Sequence, residues 1–131
     1  METVEFKYGP KAIHLYMSGE AMFRIEALNL EDQPDILDRM VKTTVDGTAS
    51  LCQVAAILAE SGELCRRHLG YSKERIPSAQ ELQQILTPMQ LLSLRSAAIK
   101  AIDAGYASDE AGEDQGDIDL GLIELEKKTK L

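Results

Sequence analysis

The side chains able to do chemistry in this chain are few: two histidines, two cysteines and a surplus of carboxylates. His14 and His68 lie far apart in the sequence, and neither has further ligands at metal-binding spacing beside it. His68 follows Arg66 and Arg67 and reads as a surface histidine at a helix end. Cys52 and Cys65 fall in one stretch that reads as a helix, thirteen positions apart. At 1.5 Å per residue that is about 20 Å, whereas a disulfide needs Cα atoms within about 7 Å. They read as reduced cysteines, at least one of them in the core. A thiol nucleophile would need a partnered base and a third orienting group, and no such set is visible. Nor is there a P-loop, a dinucleotide-binding glycine turn, a nucleophile elbow, an HExxH or a CxxC. The expectation is a protein that is not an enzyme, with no cofactor and no metal.

The carboxylates concentrate in residues 107–117, where Asp109, Glu110, Glu113, Asp114 and Asp117 stand without a base or a large apolar residue. A calcium loop begun at Asp109 would need oxygen ligands at its third and fifth positions and glycine at its sixth. It finds Ala111, Glu113 and Asp114, so two of these requirements fail. The segment reads instead as a flexible, solvated linker. Its charge could pair loosely with Arg66, Arg67, Lys73 and Arg75, or repel like-charged neighbours in an assembly.

The elements that must carry these groups are mostly helical. The longest helical stretch, residues 48–70, combines Leu51, Val54, Ile57 and Leu58 with Cys52, Ala55, Ala56 and Ala59. A surface helix needs one apolar stripe, and this one must be covered on more than one side, which makes it the hub. Ahead of it, Phe6 and Tyr8 precede Gly9-Pro10 and Ile13 and Leu15 follow, a pattern that predicts a small β-hairpin leaning on the helices. Ser18 caps a helix expected to run to about Asn29. Pro34 fits the first turn of a second helix, carrying Ile36, Leu37, Met40 and Val41 and closing at Asp46-Gly47. Thr48 is expected to cap the hub, and Gly70 to close it. After a polar connector, Ser78 with Glu81 and Thr87 with Gln90 form two successive capping boxes, so two helices meet at a tight corner. The second is expected to end at Gly105. That corner invites a helix-turn-helix reading, but Gln90, Arg95 and Lys100 are a poor set for a groove-reading helix, and a core helical hairpin accounts for it better.

With 131 residues, Lys+Arg 14 against Asp+Glu 22, a net charge of -8 and a pI near 4.7, the chain repels phosphate backbones and anionic membranes. Aromatic residues make up only 5%, which argues against an all-β fold. The start of the chain lacks the features of a signal peptide, and no apolar run reaches bilayer length. The expected architecture is mainly α: a compact bundle of about five helices with a small hairpin (residues 1–106), the acidic linker (107–117) and a short amphipathic segment (118–131). That last segment holds Ile118, Leu122 and Leu125 and closes on Lys127, Lys128 and Lys130. The expected compartment is the cytoplasm.

Three stretches in order, SGEAMFRIEALNL after the hairpin, SAQELQQILTPMQLLSLRSAAIKAIDAG, and DIDLGLIELEKKTKL after the acidic linker, resemble the tail assembly chaperones of long-tailed bacteriophages. These are small helical proteins encoded just ahead of the tape measure protein. The likeness is one of layout across nearly the whole chain and includes no catalytic signature. It implies a non-enzymatic role in the bacterial host cytoplasm, with absence from the mature virion. Self-associating copies would hold the tape measure protein soluble while tail tube subunits polymerise around it. It also implies a programmed frameshift near the end of the message, with which Lys127-Lys128 is compatible. The resemblance assigns no gripping surface. The residues suggest Ile118, Leu122 and Leu125, and the side of the last long helix holding Leu92, Arg95 and Ile99, expected to be exposed. Two other classes stay open: a small phage structural protein of head-tail connector type, distinguished by its presence in purified particles, and a helical regulator, distinguished by salt-dependent binding to duplex DNA.

Overall fold

A computed structural model describes residues 3–116, and side chains for residues 3–107. Within these the chain is mostly helical with one two-stranded antiparallel sheet. Strands β1 (Val4–Tyr8) and β2 (Lys11–Leu15) pair so that Phe6 faces Ile13, and both are buried. Gly9, at φ +62°, makes the turn between them. The helices are α1 (Gly19–Glu26), α2 (Ile36–Met40), α3 (Val45–His68), α4 (Ala79–Ile85) and α5 (Pro88–Gly116).

The hub is α3, which packs against β2 and every other helix. Leu51, Cys52, Val54, Ala55, Leu58 and Ala59 are fully buried along it. The hairpin is held from both sides, β2 against α3 and β1 against α5. The Tyr16 N–H donates to the Leu58 carbonyl at 3.1 Å, so the chain leaving β2 is tied directly to the helix backbone. At Gly62 the approach is closest: a Cβ there would lie 1.8 Å from the His14 carbonyl oxygen.

The ends of the elements show where local signals held. Ser18 accepts from the Ala21 N–H, Ser78 and Glu81 cap each other's backbone, and Thr87 and Gln90 do the same, all as the sequence suggests. At its far end α3 closes as predicted through Gly70 at φ +102°, with the Tyr71 N–H bonded to the Arg66 carbonyl and the Gly70 N–H to that of Arg67. Helix α1 stops at Glu26 rather than Asn29, and the Asn29 side chain accepts from the Ile36 N–H at the start of α2.

Four expectations are corrected. Asp46-Gly47 does not close α2, which ends at Met40. The pair lies instead in the first turn of α3, capped by Thr44 rather than Thr48, with the Thr44 hydroxyl accepting from the Gly47 N–H at 3.0 Å. Glycine is there for room, since a Cβ at 47 would stand 2.2 Å from the Lys42 carbonyl oxygen. Pro34 precedes the α2 cap, Asp35, instead of entering the first turn. Gly105 does not end the last helix: α5 runs on to Gly116, through all but the last of the residues expected to form the flexible linker 107–117. A Cβ at 105 would lie 2.7 Å from the Met17 Cβ, so this glycine, too, marks a close approach.

Candidate functional site

Of the two histidines and two cysteines, only His68, at the end of α3, is exposed. Cys52 and Cys65 are both buried and not bridged to each other. Burial pushes the Cys52 thiol up to about 11 against the opposing influence of Arg95, so it is a neutral, packed thiol at neutral pH. His14 sits in β2 with Nδ1 3.4 Å from the Thr3 hydroxyl. Among the described residues, no group of three or more His, Cys, Asp or Glu is placed to hold a metal ion.

The basic residues near the end of α3 are largely engaged. The Arg66 guanidinium lies 4.2 Å over the Tyr71 ring. Arg67 pairs with the buried Glu63 at 3.4 Å, and Glu63 also accepts from the Glu74 N–H at 2.8 Å, fastening the connector to α3. Arg75 pairs with Glu81. The Ser78 N–H and Arg75 together hold the Glu81 carboxyl below its usual range, and Glu81 raises Arg75.

Arg95 is not on the exposed side of α5, and that expectation is corrected. Only 9% of it is exposed, with Nε donating to the Met40 carbonyl at 3.0 Å and an Nη to the Lys42 carbonyl at 3.1 Å. These are carbonyls at the end of α2, where a helix leaves acceptors unpaired and its dipole favours a cation. Arg95 therefore pins α5 onto the α2–α3 junction. The signal was present: Leu91, Arg95, Ala98 and Ile102 recur at the four-three-four spacing of a helix face, and Ala98 and Ile102 are core.

Leu92 and Ile99 do face outward, at 49% and 37% exposure, and the structure adds neighbours that the sequence reading did not include. Met89 is 71% exposed and Tyr106 46%, with Ser96 and Asp103 exposed on the same line. Met89, Leu92, Ser96, Ile99, Asp103 and Tyr106 thus alternate steps of three and four, which sets them along one side of α5. Ile85, exposed at the end of α4, stands just ahead. Other exposed apolar residues, such as Phe23 and Val45, sit on different elements. A spacing test that counted outward positions as well as the core stripe would have found the complete row.

Asp109, Glu110, Glu113 and Asp114 fall within the helical backbone of α5. Asp117, Ile118, Leu122 and Leu125 lie outside the described residues. Among the described residues no helix is long and apolar enough to cross a membrane. No protein-family model, curated protein or solved structure matches the chain.

Proposed function

We propose that this chain is a tail assembly chaperone of a long-tailed phage or prophage, a non-enzymatic protein that self-associates, grips the tape measure protein and is released as tail tube subunits assemble. The observation that carries the reading is the outward row of Met89, Leu92, Ile99 and Tyr106 on an otherwise acidic body. Such a row suits a helical client, whose own apolar face can lie along it. The layout resemblance adds to it. The placement of the candidate readers weighs against a DNA-reading role: Arg95 is buried against backbone carbonyls and Gln90 is occupied in its capping box, leaving Lys100. Ile118, Leu122 and Leu125 are proposed as a second gripping segment, and a longer frameshifted product as its companion.

Coexpression with the tape measure protein of the same genome tests this. The wild-type chain is expected to raise the soluble fraction of the client severalfold and to co-purify with it. The double substitution Leu92→Glu/Ile99→Glu is expected to abolish both effects, and Ile118→Glu/Leu122→Glu to weaken them. A client that stays insoluble with the wild-type chain, or is solubilised equally by the α5 variant, would overturn the reading. So would recovery of the chain as a stable component of purified particles.

A further inference from the structure

The outward row on α5 repeats with a period of seven. Met89, Ser96 and Asp103 form one series and Leu92, Ile99 and Tyr106 the other, interleaved over about five turns at 3.6 residues per turn. Single surface apolar residues are ordinary and need no partner. A row at heptad spacing is different, because it can match the supercoil of a second helix; here Leu92, Ile99 and Tyr106 supply the apolar contact and Ser96 and Asp103 make the other series polar. We infer that this seam pairs with the same seam of a second copy of this chain, antiparallel, with the twofold axis at Ile99.

The register follows from the residue types. With Ile99 on the axis, Leu92 faces Tyr106 of the second copy, and the Ser96 hydroxyl faces the Asp103 carboxylate of the second copy, to which it can donate. Charge chooses the direction. Parallel helices would set Asp103 beside Asp103 and run the acidic carboxyl-terminal halves of α5, which in sequence hold Asp109, Glu110, Glu113 and Asp114, side by side. Antiparallel helices separate those halves and turn each toward the amino-terminal end of the other α5. The first turn of α5 has no acidic residue and its last turn no base, so neither end of its dipole is compensated within the helix.

The strip from Met89 to Tyr106 is about 27 Å long and one helix wide, at the small end of specific interfaces. A reversible dimer is expected rather than an obligate one. The inference rests on the self-association within the proposed function and not on the identity of the client, with which the second copy competes for the same row.

The test uses the full chain alone. Sedimentation equilibrium from roughly 1 to 300 µM, a range that brackets a weak dimer, is expected to show a monomer–dimer equilibrium, with Leu92→Glu weakening it at least tenfold while the far-ultraviolet circular dichroism is unchanged. Under mild oxidation Ile99→Cys is expected to give a covalent dimer. Leu92→Cys is expected to give little alone and a mixed dimer with Tyr106→Cys. The wild type, whose Cys52 and Cys65 are buried, serves as the background. Wild-type protein that stays monomeric throughout overturns both this inference and the self-association it rests on. A dimer in which Ile99→Cys does not cross-link, or in which Leu92→Cys cross-links to itself as readily, overturns this interface while leaving self-association standing.

Discussion

A single guanidinium separates the inner and outer sides of α5. Arg95 has Leu92 one turn before it and Ile99 one turn after, yet it reaches inward to the Met40 and Lys42 carbonyls while they face solvent. Its truncation strands one buried and one part-buried acceptor, and a hydrogen bond to a charged group is worth about 1.5–3 kcal/mol. Arg95→Ala is therefore expected to lower the unfolding free energy by roughly 2–3 kcal/mol in urea titrations. Leu92→Ala, a change at an exposed position, should stay within about 0.5 kcal/mol. Partner binding should divide the other way, with Leu92 variants losing it and folded Arg95→Ala keeping it. A variant of Arg95 that is fully stable but unable to bind would return this residue to the surface role the sequence reading assigned it.

At the level of elements, glycine separates what was legible from what was not. The capping boxes at Ser78 and Thr87 could be read because every partner lies within three residues, and the hub could be read from its apolar density alone. The helix starts and stops assigned around Gly47 and Gly105 were misplaced because glycine has two local meanings. It can end a helix, as Gly70 does, or admit another backbone or side chain to its flank, and only the neighbour distant in sequence decides which. Gly62 is the sharpest case. Replacing a helical glycine by alanine ordinarily gains about 1 kcal/mol of helix propensity. Here the added methyl would meet the His14 carbonyl oxygen at 1.8 Å, and overpacking of that kind costs about 1–3 kcal/mol or more because backbone must move. Gly62→Ala is thus expected to lower the melting temperature and to loosen the hairpin from α3, visible as faster amide exchange at Tyr16. A stabilised Gly62→Ala protein would show that β2 does not rest on this helix. The outward face of α5 was half legible for a related reason: its two central residues were named and Met89 lay within the expected helix, but Tyr106 joins the row only when the helix is known to continue past Gly105.

For the whole molecule, charge and the α5 seam set opposite salt dependences for the competing readings. Two bodies of net charge -8 repel each other, and screening that repulsion should strengthen a contact made chiefly of apolar side chains. The Debye length falls from about 10 Å at 0.1 M ionic strength to about 3 Å at 1 M, so pairing of α5 seams is expected to tighten severalfold over that range. Helix-dipole contributions at the ends would weaken with salt, but they amount to less than about 1 kcal/mol at exposed sites. Binding to duplex DNA behaves in the reverse sense, because displaced counterions make affinity fall steeply as salt rises. Sedimentation at the two salt concentrations, with and without a duplex, separates the readings in one series. Self-association that strengthens with salt and a duplex that never co-sediments are the expected results. Association that dissolves at high salt would mean that ionic contacts, rather than Leu92 and Ile99, hold the copies together.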